Sequence, residues 1–271
     1  MPVSTNQQGE PIWRLRTSRA QWLGYLGWLV GMSLFLLCWK LISDSTMWVF
    51  VHDAGRQGSD LISRMLPPQW AYAHRLWKPM WDTINIATLG TLLGIAMAFP
   101  VAFLAARNTT PHPLIRSAAL VIIVASRSIN SLIWAMLLVT ILGPGVLAGI
   151  IAIALRSIGF VGKLLYEAIE EIHPTPGEAI SATGASRMQV MNYAVLPQVM
   201  PAFAGISVYR WDINIRESTV LGLVGAGGIG LQLNSAINSL AWNQVSVIFV
   251  MIFVTVLASE WVSARVRRAI I

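Results

Sequence analysis

Six stretches of this chain are each about 20 or more residues of predominantly apolar sequence, the length a helix rising about 1.5 Å per residue needs to cross a hydrocarbon core about 30 Å thick. They run approximately from Trp22 to Ile42, Thr83 to Ala106, Leu114 to Leu142, Val146 to Leu165, Val199 to Val220 and Val245 to Ala264. The predicted fold class is therefore an all-α membrane protein with about six transmembrane helices. Composition agrees: charged residues are only 11% of the 271, where an ordinary globular chain carries about 25%, too few to cover a soluble surface.

The net charge of +7 could point to nucleic acid, but the 19 basic residues, of which all but Lys40, Lys78 and Lys163 are arginines, do not form one dense run. They fall mostly at the ends of apolar segments, where charges set membrane orientation. Cys38 has no partner for a disulfide, and His52, His74, His112 and His173 are scattered without ligand spacing, so no metal site is expected. Residues 1–21 read as a cytoplasmic tail ahead of a retained anchor, because no small-residue cleavage site follows the first apolar run. With that tail inside, Arg14, Arg16, Arg19, Arg107, Arg116, Lys163, Arg187, Arg265, Arg267 and Arg268 all fall on the cytoplasmic side, and so do both termini. Trp22, Trp39, Trp81, Trp242 and Trp261 stand near predicted helix ends, as interfacial aromatics do. Asp60 to Trp81, with apolar residues at helical spacing interrupted by Pro67-Pro68, reads as an interfacial segment outside the membrane.

The segment 166–198 is the long polar loop between predicted spans four and five. Thr175-Pro176-Gly177-Glu178 carries the marks of a helix start, with Thr175 as N-cap and Glu178 placed to close a capping box. Gly184 then breaks that helix, Ser186 and Gln189 offer a second capping box, and the second short helix is expected to stop at Leu196 before Pro197.

This loop resembles the cytoplasmic signature of permeases of binding-protein-dependent ABC importers: Glu-Ala-Ala, three residues, Gly, nine residues, Ile, one residue, Leu-Pro. The chain supplies Glu178, Ala179, Gly184, Leu196 and Pro197 at that spacing, with Ile180 and Ala194 as apolar departures. A more specific resemblance, to phosphonate and phosphite permeases, covers most of the chain after Thr83. It is carried by Ala105-Ala106-Arg107-Asn108, Gly162-Lys163-Leu164 with Glu167-Ala168-Ile169-Glu170, Thr183-Gly184-Ala185-Ser186, Leu196-Pro197-Gln198 and the run Val220 to Gly230. One departure is in the third span, where the family usually has Pro and an acid after Arg-x-Ile and this chain has Asn130 and Ser131.

The resemblance implies a type I ABC importer permease over residues 22–271, acting as a homodimer in the bacterial inner membrane with two copies of an ATPase subunit and a periplasmic substrate-binding protein. Glu178, Ala179, Gly184, Leu196 and Pro197 would form the ATPase-coupling surface. ATP and Mg would be bound by the partner ATPase, and no cofactor or catalytic residue is expected in this chain. The substrate could be phosphite, an alkylphosphonate or a phosphate analogue, and the runners-up are a permease for another small oxyanion or solute or an ion-coupled secondary transporter. An ion-coupled carrier has no reason to possess the 178–197 loop.

Two other motifs fail on context. Gly225 to Gly230 has the spacing of a dinucleotide fingerprint, but no strand-helix-strand unit surrounds it, and close packing or a re-entrant turn is the alternative. Glu178 to Val195 looks like a DNA-binding helix-turn-helix, but it lies between spans and has few basic residues for phosphates.

Ionisable residues inside spans are costly and functional candidates by default. Arg127 has no acid in its own span, and Asn130 and Ser131 follow it at the three- and four-residue spacing of one helical face. A guanidinium, an amide and a hydroxyl so placed would line an anion pathway. Arg210 and Arg216 are weaker candidates, since Asp212 and Glu217 stand close enough to neutralise them, and Arg156 is expected to be packed.

Overall fold

A computed structural model of the chain describes residues 3–5, 11–13 and 18–270. The N-terminal tail expected over 1–21 lies mostly outside the described residues, and so do Arg14 and Arg16. The chain divides into two units, Met1–Leu61 and Ile62–Ile271. The first contains an antiparallel pair of three-residue strands, β1 (Val3–Thr5) and β2 (Pro11–Trp13), followed by α1 (Ser18–Ser45). Along α1, Trp22, Trp28, Phe35 and Trp39 are exposed in a helix with the length and apolarity of a span. The amphipathic helix α2 (Trp48–Met65) begins after a short turn in which the Trp48 indole donates to the Ser43 carbonyl at 3.1 Å.

Every secondary-structure element among the described residues of the second unit is helical. Its elements are α3 (Ala73–Ala105), α4 (Pro113–Ser128), α5 (Ser131–Leu142), α6 (Val146–Glu170), α7 (Thr175–Ala182), α8 (Arg187–Val190), α9 (Leu196–Leu221), α10 (Ile229–Asn238) and α11 (Trp242–Ile270). Four helical segments are long and apolar enough to cross a membrane, at 19–45, 70–105, 146–170 and 242–269, and two bent pairs bring the number to as many as six.

Helix α6 is the centre of this unit and packs against α3, α4, α5 and α9. Lipid tails give apolar helices no hydrophobic reason to associate, so backbones must approach closely enough for dense van der Waals contact. The sequence provides for this with small residues: a Cβ on Gly94 of α3 would stand 2.5 Å from the Ser157 Cβ, and one on Gly159 of α6 would stand 2.6 Å from the Ile123 carbonyl oxygen. Large apolar side chains such as Leu92, Val121, Ile141, Phe253 and Trp261 are left pointing outward.

Two sequence expectations change, and the glycine-rich run packs closely as expected. The window 114–142 is not one helix: α4 and α5 meet at 88° across Ile129 and Asn130. Asn130 is extended (φ −70°, ψ 148°), and its side chain accepts from the Leu132 amide at 3.1 Å, so it starts a new helix instead of continuing the old one. The segment read as interfacial does break at Pro67-Pro68, but Ala73 to Trp81 belongs to α3, because Leu76 is buried against Ile229, Val245 and Ile248. The glycine-rich run is a tight turn between helices: Gly228 adopts φ 76°, and the Ile229 amide donates to Thr83 Oγ1 at 2.8 Å.

Candidate functional site

The loop 166–198 forms two short helices joined at a sharp bend. Helix α7 starts with Pro174, not Thr175, at the N-cap, and no side chain caps it. The expected Thr175–Glu178 capping box is therefore absent; the Glu178 amide donates to the Pro174 carbonyl at 3.1 Å, and the Glu178 side chain is exposed. Glu178, Ala179 and Gly184 are all exposed, and no residue of α7 is buried. Gly184 takes φ 82° at the bend, where an added Cβ would meet nothing within 4 Å, so backbone conformation and not space selects glycine there.

The second capping box is formed, with the Gln189 amide donating to Ser186 Oγ and the Ser186 amide to Gln189 Oε1 at 2.7 Å. Helix α8 ends at Val190, but the helical path does not stop at Leu196 as expected. Residues Met191–Val195 form a wider π turn, in which the Leu196 amide donates to the Met191 carbonyl five residues back, and the chain runs on into α9. That widened turn lets Pro197, which lacks an N–H, sit in the first turn of α9, where a donor is not required. Leu196 is half-buried and Pro197 exposed.

Side chains fasten this loop to the bundle. Arg187 donates through Nη2 to the Thr109 and Thr110 carbonyls at 2.8 and 2.7 Å. Asn108 donates to the Ile169 carbonyl at 2.5 Å, and Gln198 closes the loop by accepting from the His173 amide at 3.2 Å. Glu170 accepts from the Arg107 amide at 2.8 Å and lies 3.9 Å from the Arg116 guanidinium. Sequence reasoning used Arg187 only for orientation; its hold on a turn 77 residues away has no local signature.

The second constellation lies among the spanning helices. Arg210 of α9 is 1% exposed, donates from Nε to Ser157 Oγ at 3.0 Å, faces Glu217 with both terminal nitrogens at 3.4 Å and packs on the Phe160 ring. Arg156 of α6 reaches the same carboxylate at 3.5 Å and donates from Nη1 to the Ile129 carbonyl at 3.2 Å. Ile129 is the last residue before the α4–α5 bend, so its carbonyl has no helical partner, and Arg156 satisfies it. Asn214 lies beneath, donating to Thr91 Oγ1 at 2.7 Å and to Ser157 Oγ at 3.1 Å. Arg216 pairs with Asp212, whose other oxygen accepts from Ser259 at 2.9 Å.

The bend separates the three residues placed together by sequence. Arg127 lies in the last turn of α4, is exposed, and has no hydrogen bond or ion pair among the described residues; its stem covers Gly159. Asn130 is occupied as a helix cap, and Ser131 is 3% exposed with its hydroxyl turned to Asn130 Oδ1. They do not share a helical face with Arg127, because the helix that would impose the spacing ends at Ser128. Arg156, expected to be packed, is instead half-buried and joins the bend to Glu217. Two guanidinium groups, those of Arg156 and Arg210, therefore converge on one carboxylate, Glu217.

Long apolar helices packed through small residues, with an exposed two-helix loop between two of them, define a polytopic membrane protein of the all-α class. The chain belongs to the family of binding-protein-dependent transport system inner membrane components, whose family model matches residues 90–270. It is 41% identical over 209 residues to the phosphite transport system permease protein of Stutzerimonas stutzeri, covering 77% of this chain and 76% of that one. It is also 41% identical over 226 residues to a phosphate-import permease protein of Mycolicibacterium smegmatis, covering 82% of this chain but 42% of that longer protein. A chain of the MetNI methionine ABC transporter shares the fold at 22% identity and a TM-score of 0.61, over 72% of this chain and 96% of that one.

Proposed function

We propose that this chain is the translocation subunit of an ATP-driven importer for a small phosphorus oxyanion, phosphite or a phosphonate, with phosphate as the nearest analogue. The observation that carries the substrate class is the 41% identity, over 77% of the chain, to a permease named for phosphite. The excess of guanidinium over carboxylate around Glu217 supports it, since an uncompensated cation among spanning helices is costly and favours an anionic solute.

The chain works as one of two copies, with two ATPase subunits on the cytoplasmic side and a periplasmic binding protein delivering the anion. ATP and Mg bind the ATPases. Exposed α7, with Glu178 and Ala179, and the bend at Gly184 dock on the ATPase. Arg187 passes its displacement to the 107–110 turn between α3 and α4, and the continuous π turn passes it into α9. Arg127 and Arg210 face the anion's route, Asn130 and Ser131 hold the bend, and Arg216 is neutralised by Asp212. The test is uptake of phosphite, methylphosphonate and phosphate by the importer reconstituted with its ATPase and binding protein. Uptake of one of these that needs ATP and resists collapse of ion gradients is expected. Uptake that follows an ion gradient without ATP would establish a secondary carrier.

A further inference from the structure

Arg156, Arg210 and Glu217 come from two helices and meet around one carboxylate, yet the pairing is incomplete. The nitrogen-to-oxygen distances are 3.4 to 3.5 Å, longer than the roughly 2.7–2.9 Å of a well-formed guanidinium–carboxylate bond. Arg156 Nε is inaccessible to solvent and has no hydrogen-bond partner, and the same holds for Asn214 Oδ1. One carboxylate thus stretches between two guanidinium groups that supply more donors than it can accept from. The cluster is also reachable: the side chains of Arg156 and Glu217 are 28% and 21% exposed, while Arg210 is held at 2% by Ser157 and Phe160.

We infer that Arg156 and Arg210 form a binding site for a tetrahedral oxyanion, and that the Glu217 carboxylate occupies it as an internal substitute when substrate is absent. This rests on the importer reading above. A phosphite or phosphonate dianion has three oxygens and more charge than a carboxylate, so it takes the spare donors and neutralises the net charge left by two cations and one anion. Glu217, on the open side of the cluster, turns outward to admit it, while buried Arg210 stays fixed. The return of Glu217 then competes with the anion and releases it. A site whose empty form is already charge-paired binds weakly, which suits a pathway that must not trap its solute.

The purified importer complex without its binding protein is the material, and labelled phosphite and phosphate are the probes. Glu217→Gln keeps the shape and removes the competing charge. It should bind oxyanion at least about tenfold more tightly than the wild type, the scale of one charge-assisted hydrogen bond, and its maximal uptake rate in proteoliposomes should fall by a similar factor. Arg210→Gln added to it should abolish the gain. Unchanged binding in Glu217→Gln, with the complex intact, overturns the inference. If Glu217→Gln does not assemble, Arg156→Lys decides: it keeps the charge and loses the planar fork, so ATP-coupled uptake should drop severalfold, and unchanged uptake overturns the site. Absence of any oxyanion uptake by the wild type would instead refute the importer reading itself.

Discussion

The lone exposed guanidinium of Arg127 and the buried one of Arg210 carry the same charge, but their surroundings assign them different consequences. Arg127 has no ion-pair or hydrogen-bond partner among the described residues, so removing its charge breaks no internal bond. Arg127→Gln should fold and assemble normally and lower oxyanion uptake about tenfold or more, as expected for losing a charged hydrogen bond. Uptake and ATPase activity measured on the same proteoliposomes check this, and undiminished uptake would remove Arg127 from the route. Arg210→Ala instead leaves a buried amide-hydroxyl network without its central donor. Arg156 remains to neutralise Glu217, so the stability loss should lie near the low end for a broken buried pair, about 3 kcal/mol, seen as a lowered midpoint of thermal unfolding in detergent. The pairs themselves were foreshadowed by spacing: Asp212 and Arg216 are four residues apart on one helix face, and Glu217 stands two turns beyond Arg210. The convergence of Arg156 on that same carboxylate was not, because it comes from another helix.

Among the elements, the 166–198 loop was the most legible. Its bend at Gly184 and its Ser186–Gln189 box follow from residues within one or two turns of each other, so local chemistry decides them. Gly184 is open to space but left-handed, so Gly184→Ala should cost about 1 kcal/mol of local stability and leave transport largely intact. Gly184→Trp, which puts bulk on the exposed face next to α7, should permit ATP hydrolysis but block uptake; full transport by that variant would place the docking surface elsewhere. Arg187→Gln removes the two bonds to the Thr109 and Thr110 carbonyls while the capping box still forms. Uptake per ATP hydrolysed should therefore fall severalfold, and an unchanged ratio would show that the π turn alone transmits the motion. The α4–α5 bend escaped notice because a hydropathy window averages across it: Asn130 interrupts an apolar run without lowering the mean enough to split it.

For the whole molecule, the arginine distribution sets the expected topology. Reporter fusions after Gln198 and after Arg268 should both report a cytoplasmic location, and a periplasmic signal from either would invert the arrangement. That the chain carries segments apolar enough to cross a membrane, and where its polar loop begins, could be read from the sequence alone, because each depends on the average polarity of about 20 neighbouring residues; the number of helices could not, since the 114–142 window is two helices. The sequence also marked which arginines lie within the apolar windows. Only the tertiary structure decided what those arginines touch. Gly94 and Gly159 let α3 and α4 close on α6, and the bend at Asn130 turns the Ile129 carbonyl toward Arg156. Arg210 meets Ser157 from 53 residues away. In a medium without water to satisfy a buried charge, its partner is whichever polar group the packing brings near, and packing is a property of helix surfaces that no single segment encodes.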